Sequence, residues 1–205
     1  MNVYTIDCAP SNATVGSVSA SASPGAGAIV IGGTLASGGV ATLGAAQLIT
    51  LVSGGNDTGI TFTINGTDEN GDTQTENVTG ASGGTATSTK YFKTVTSITH
   101  TGSVATTLSA GNAVTSLSAA FKFYRQVSPA RVAVGISLVS GSSTYTLQDC
   151  FTNAPHTLWI DNATVSAKTA SFEYAYIDTP CMAARLRITA STVGVLQANF
   201  VIART

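Results

Sequence analysis

The sequence predicts an all-β protein, an antiparallel β-sandwich or jelly-roll-like fold. Three observations carry the prediction. Apolar residues recur at period two in many short runs, Gly/Ser/Asn turn signals separate those runs at roughly 8–12-residue spacing, and no strand–helix–strand alternation occurs. The clearest run is Ile60, Phe62 and Ile64 alternating with Thr61, Thr63 and Asn65. Asn70-Gly71 follows, with the residue types of a type I′ turn, and a second β-compatible run spans 73–79. With Asn70-Gly71 as a two-residue loop, Ile64 would face Asn77 and Phe62 would face Thr79. Such a hairpin has one apolar strand and one polar one, and needs further strands to cover it.

In chain order, residues 1–27 read as an extended N-terminal arm. Val3-Tyr4-Thr5-Ile6 is able to add a strand to a sheet, and a small-residue stretch ends in Pro24-Gly25. Residues 28–117 read as a Gly/Thr-rich β domain. It holds a short strand from Ala28 to Leu35 with a kink at Gly32-Gly33, and a run from Val40 to Val52 that is one strand or two, with a helix over Ala45–Leu51 as the weaker choice. The Asn70-Gly71 hairpin, the loop Gly80–Gly84, a turn leading into a strand over Thr85–Thr101 that contains Tyr91, Phe92, Val95 and Ile98, and short strands from Val104 to Val114 complete it. Near Ser116–Ala120 aromatic and basic residues appear and the strands become better patterned. Residues 118–205 therefore read as a C-terminal β-sandwich domain, opening with a strand over Phe121–Val127. Val132, Val134, Ile136 and Leu138 form one apolar face, Tyr145 and Leu147 another, and Leu196, Ala198, Phe200 and Ile202 a third. Pro155–Asp161 reads as a loop carrying His156 and Trp159.

Composition restricts function. Apolar residues make up 43% of the 205 and mean hydropathy is +0.28, which excludes the low-hydrophobicity signature of disorder. Charged residues are only 9%, against about 25% in an ordinary soluble domain. A folded chain with so few charges is expected to have much of its surface covered by neighbours. The net charge of −1 is unevenly spread: every Lys and Arg lies at or after Lys90, leaving the first 89 residues with six acids and no base. Opposite signs in the two halves are suited to head-to-tail contact. No basic cluster tracks a phosphate backbone, so nucleic acid is not an expected partner, and the longest apolar stretch is too short and polar to span a bilayer. The N-terminus lacks the pattern of a signal peptide, so the expectation is a protein made in the cytoplasm. Cys8, Cys150 and Cys181 form neither a disulfide framework nor a zinc site, and are expected as buried free thiols, with Cys8 placed to cross-link neighbours.

No catalytic, cofactor or metal residue is assigned. Gly80-Ala-Ser82-Gly-Gly84 matches the nucleophile-elbow string, but Thr85-Ala-Thr-Ser-Thr89 is a poor start for the helix that motif requires. His100 and His156 read as structural histidines. Asp68, Asn70, Gly71 and Asp72 resemble part of a calcium loop, yet the EF-hand frame would put Gly66 and Asn77 at its first and twelfth positions, so a polar turn is the better reading. The candidate functional residues are instead interface residues: Tyr4 on the arm; the aromatics Trp159, Tyr174 and Tyr176; and Arg185 and Arg187, on the face opposite Leu186 and Ile188.

Those patterns carry a resemblance. The stretch Gly59–Gly80 followed by Ser88–Thr99, and in the second half Tyr145-Thr-Leu-Gln148, Trp159 and Ala184-Arg-Leu-Arg-Ile188, resemble structural proteins of tailed-bacteriophage particles over roughly two thirds of the chain. The resemblance implies a virion component with no catalytic residues or cofactor. Its expected partners are the major capsid protein, other virion proteins and further copies of itself. A capsid decoration (cement) or head-fibre-like protein is the leading expectation. A tail or neck component, or a glycan-binding module on the virion surface, is the alternative.

Overall fold

The computed structural model describes residues 2–123, 131–152, 156–177, 181–192 and 194–203. Among them the chain is all-β and antiparallel, with no helix. It divides into two compact units, residues 11–116 and residues 1–10 with 117–205.

The unit 11–116 contains β2 (Ser19–Ala22), β3 (Gly27–Ile29), β4 (Ala36–Ser37), β5 (Val40–Ser53), β6 (Thr61–Thr67), β7 (Thr73–Thr79), β8 (Thr85–His100) and β9 (Leu108–Leu117). Strand order is β9-β5-β8-β6-β7, with β2 added to β9, β3 to β8 and β4 to β5. The long β8 organises the unit. Thr94 faces Thr67 on one side and Thr42 on the other, while Ile98 faces Ile64 and Ile29, so β5 and β3 share the edge of β8 opposite β6. Register shifts in β5, between Thr42 and Gln47 and between Leu48 and Thr50, let the pair bend. Where pairing breaks, a side chain replaces it: Ser88 Oγ accepts the Ile49 N–H at 2.8 Å and donates to the Lys90 carbonyl at 2.9 Å. At the end of the sheet, β7 is tied to the first half of β8 through side chains. The Glu76 carboxylate accepts the N–H groups of Thr89 and Lys90 at 2.7 and 2.9 Å, and the Gln74 amide donates to the Tyr91 carbonyl at 2.5 Å. The core is Phe62, Ile64, Phe92, Val95, Ile98, Leu43, Ile49, Leu51 and their neighbours, all buried. Each such Phe or Leu contributes about 1.5–3 kcal/mol by leaving water.

The β6–β7 hairpin corrects the expected register. Phe62 pairs with Val78, Ile64 with Glu76 and Thr67 with Thr73. The loop is longer than two residues. Gly71 N–H donates to the Asp68 carbonyl, Asp68 N–H donates to the Asp72 carbonyl, and Gly71 sits at φ +88°, which makes a type I turn closed by a left-handed glycine. Asp68 Oδ1 accepts the N–H groups of Asn70 and Asp72 at 2.8 and 2.9 Å, which stabilises the longer turn. The one-residue shift puts Val78, and not Thr79, beside Phe62 and buries it. Val40–Ser53 is one strand, Thr85–His100 is strand from its first residue where a turn was expected, and the strand expected over Ala28–Leu35 is limited to Gly27–Ile29.

Residues 1–27, expected as an extended arm, are divided between the units. Asn2–Cys8 form β1, paired along its whole length with a C-terminal strand. Residues 11–22 lie on the unit 11–116, held by two fully used amides. Gln47 accepts from Ser11 N–H and donates to the carbonyls of Ser11 and Ala113, and Asn112 accepts from Ser17 Oγ at 2.6 Å and donates to the Asn12 carbonyl. A Cβ on Gly111 would strike the Thr14 carbonyl, so the close approach requires glycine there.

In the other unit, one sheet runs β1-β16-β11-β14, with β11 at Arg131–Leu138, β14 at Phe172–Ile177 and β16 at Leu196–Ala203. The facing layer is β13-β12-β15, with β12 at Ser142–Cys150, β13 at Trp159–Asp161 and β15 at Ala183–Thr192, and β10 (Phe121–Lys122) added to β15. Of the strand expected over Phe121–Val127 only these first residues are in β10, and residues 124–130 lie outside the described residues. Phe121 of β10 stacks on Phe200 of β16 at 4.7 Å, and Phe123 meets Phe121 edge-on at 4.9 Å, so aromatic rings join the two sheets. Leu147, Leu186, Ile188, Leu196 and Ala198 complete a sandwich core.

One substitution tests the bend in β8. The register of β6 against β8 shifts at Asn65/Gly66, where a Cβ on Gly66 would collide with the Thr94 carbonyl. Gly66→Ala is expected to cost about 2 kcal/mol by overpacking, read as a lowered denaturation midpoint with an unchanged slope.

Candidate interaction surface

The surface is built on β12, β13 and β15. Because strand residues alternate sides, Leu186 and Ile188 are buried while Arg185 and Arg187 take the other face of β15. Cross-strand pairing places Gln148 between Arg185 and Asp161, Thr146 opposite Arg187, and Cys150 opposite Trp159. A continuous polar ladder results. Arg185 Nε donates to Gln148 Oε1 at 2.9 Å, Gln148 Nε2 donates to Asp161 Oδ1 at 2.9 Å, and Arg187 Nη2 donates to Asp161 Oδ2 at 2.6 Å. The Arg185 guanidinium lies 4.0 Å from the centre of the Trp159 ring, a cation–π contact. Trp159 Nε1 donates to the His156 carbonyl at 3.0 Å, and the His156 ring stands edge-on to the indole at 6.2 Å.

Of the six residues singled out from the sequence, the fold brings three together: Trp159, Arg185 and Arg187. Both arginines are engaged within the chain, Arg187 in an ion pair with Asp161 that is partly open to solvent and of small energetic value. Tyr4 lies elsewhere, on β1, with its ring 5.1 Å from Phe121 at the margin of the aromatic cluster. Tyr174 and Tyr176 are on β14, in the sheet opposite Trp159, with Tyr174 paired to Val134; their side chains lie outside the described residues. The expected grouping of Trp159 with the β14 aromatics is thereby corrected. Trp159 is not in a loop after Pro155 but begins the edge strand β13, and only that pairing fixes its sheet.

Sequence reasoning passed over Gln148, Asp161, Asp149 and Asn162. Asp149 is buried on the core side of β12, and its Oδ2 accepts from Asn162 Nδ2 at 2.7 Å while Oδ1 has no partner. Burial raises its carboxyl above the ordinary aspartate value, and the Asn162 hydrogen bond offsets part of that. Burial, with Asp149 and Cys150 adding to it, pushes the Cys181 thiol up to about 12, so it is a poor nucleophile at neutral pH. All three cysteines are free, with Cys8 and Cys150 buried. The only sequence signal for this network is the alternation in 144–150, which marks Gln148 and Asp149 as opposite-facing without naming their partners.

The remaining chemical candidates are placed as follows. Ser82 bridges to Asn56, and the chain then enters strand β8, so the Gly80–Gly84 string lacks the helix of a nucleophile elbow. His100 is buried with Nδ1 2.7 Å from the Gly102 carbonyl and its ring 5.7 Å from Phe62. Among the described residues no group of three or more His, Cys, Asp or Glu is placed to hold a metal ion. No family model, curated protein or solved structure matches the chain.

Two measurements check the surface. The chain has a single tryptophan, so its fluorescence reports on Trp159 alone. Arg185→Ala is expected to change that emission and to lower stability by about 0.5–1 kcal/mol, the range of an accessible cation–π contact. Asp149 supplies a pH test. Its folded pKa is raised, so the cost of its buried charge is fully present above that pKa, and is relieved as pH falls through it towards the ordinary value of 3.8. Asp149→Asn should therefore be more stable than the parent near pH 7, and the gap should close on acidification; denaturant midpoints at several pH values would show it.

Proposed function

We propose that this chain is a structural component of a tailed-phage particle, a capsid decoration (cement) or head-associated protein that binds between capsomers and stabilises the shell. The observation that carries the reading is the scarcity of ionised side chains, 9% of residues, on a folded all-β chain. A surface so poor in charge is suited to being covered. The arrangement of the polar groups supports it. Arg185, Arg187, Asp161 and Gln148 bond one another in a ladder, so these polar side chains are engaged within the face itself.

On this reading the work is mechanical. Modest contacts repeated over a symmetric shell add stability by multivalency, without any one being tight. Placement in a tail or neck would rest on the same physics. The glycan-binding alternative is less well supported, because Arg185 covers one face of the Trp159 ring that a sugar would stack on.

The test is to add purified chain to particles lacking it. Co-sedimentation with the particles and a higher disruption temperature are expected. A folded chain with no particle affinity would overturn the proposal. So would selective glycan binding that disappears in Trp159→Ala.

A further inference from the structure

The chain has two Asn-Gly pairs, and both lie in the β6–β7 hairpin: Asn65-Gly66 within β6 and Asn70-Gly71 in the loop. Asparagine before glycine is prone to attack by its own main chain, because glycine has no side chain to shield its amide nitrogen from the carboxamide carbon. The reaction needs the asparagine to turn until that nitrogen reaches Cγ. The fold treats the two pairs in opposite ways.

Asn65 is held on both edges of its strand, opposite Thr75 of β7 and Ser97 of β8. Its carboxamide is bonded at both ends, Oδ1 accepting from Thr75 Oγ1 at 2.7 Å and Nδ2 donating to Ser97 Oγ at 3.0 Å. Gly66 is buried, so near the Thr94 carbonyl that a Cβ would collide with it. Turning Asn65 towards the Gly66 nitrogen breaks this whole arrangement. Asn70 and Gly71 are instead both exposed, and lie beyond the last ladder pair, Thr67↔Thr73. Gly71 sits at φ +88°, and its N–H donates to the Asp68 carbonyl at 3.2 Å, a longer bond than the 2.9 Å from Asp68 N–H to the Asp72 carbonyl. Opening that one long bond releases the attacking nitrogen.

We infer that Asn70 is a site of spontaneous deamidation, and that the fold permits the reaction there while denying it to Asn65. Gly71 N gives up its proton and attacks Asn70 Cγ. The N–Cγ bond forms, the Cγ–Nδ2 bond breaks, and ammonia leaves carrying an equivalent proton, which closes a five-membered succinimide. Water then opens the ring at one of its two carbonyl carbons, to give aspartate or isoaspartate. One water is consumed and one ammonia released, with no oxidation or reduction. Either product adds a carboxylate to a loop that already holds Asp68, Glu69 and Asp72, in the first 89 residues, which contain no Lys or Arg. Isoaspartate also adds a methylene to the main chain of a loop whose length sets the β6–β7 register. The hairpin therefore changes charge and loop geometry with the age of the molecule.

The inference does not depend on the virion reading. The folded full chain is incubated in mildly alkaline buffer, sampled over time and cleaved after glutamate. Cuts at Glu69 and Glu76 leave Asn70 and Asn65 in different peptides, so mass spectrometry follows each amide-to-acid conversion by itself. Asn70 is expected to convert about tenfold faster than Asn65 or more, because reaction at Asn65 waits for the strand to open. In concentrated guanidinium chloride the two pairs should convert at similar rates, which separates the contribution of the fold from that of the dipeptide. Asn70→Ser, with an unchanged circular dichroism spectrum, should slow the appearance of acidic species on isoelectric focusing of the aged folded chain. Equal rates at the two sites in the folded chain would overturn the assignment. So would faster conversion at Asn65, or an Asn70 that stays intact in the folded chain while the unfolded chain reacts.

Discussion

The hydrogen-bonding demand of strand β8 is the constraint on which the unit 11–116 rests. Sixteen residues of extended backbone carry donors and acceptors on both edges, and every buried one needs a partner. β6 serves one edge; β5 and then β3 serve the other. No straight neighbour could do this, so the sheet bends, and the places where it bends are where main-chain pairing gives way to Ser88, Glu76 and Gln74. Threonine and serine richness is thus explained in part by structure: small hydroxyl side chains fill broken positions of the ladder without adding charge.

The same economy governs the other unit. Its outer polar face is a chain of bonds in which each group's partner is another residue of the face, from Trp159 through Arg185, Gln148 and Asp161 to Arg187. Arginine suits this role because its planar guanidinium stacks on the indole while its edge donates to the amide. A lysine at 185 would keep the charge and lose both geometries. The outcome is a surface whose polar side chains are tied to one another, with Arg187 Nε the one donor of the ladder left buried and without a partner; side chains already held in place lose less entropy when something packs against them.

Much of the architecture was legible from the residues. Period-two alternation correctly separated Leu186 and Ile188 from Arg185 and Arg187, and identified the apolar faces of 131–138 and 196–202. Asn70-Gly71 located the hairpin but not its length. Asp68, two residues earlier, captures two backbone N–H groups and makes the three-residue loop, and that shift decides that Val78 joins the core. Trp159 read as a loop residue because three residues of strand are too few to show a period.

What the sequence determined by itself is therefore local: strand character, which side of each strand is apolar, and a charge content too low for an ordinary solvated surface. Each follows from side-chain alternation or from composition, and neither requires a partner. Tertiary structure decided register, the sharing of residues 1–27 between two units, and the joining of Trp159, Gln148, Asp161 and the two arginines. Those depend on pairings between residues distant in the chain, such as Asn2 with Ile202 or Gln148 with Arg185, whose energies are set by turn lengths, bulges and burial together. A pattern of period two says which way a side chain points, but contains no term for what it will meet.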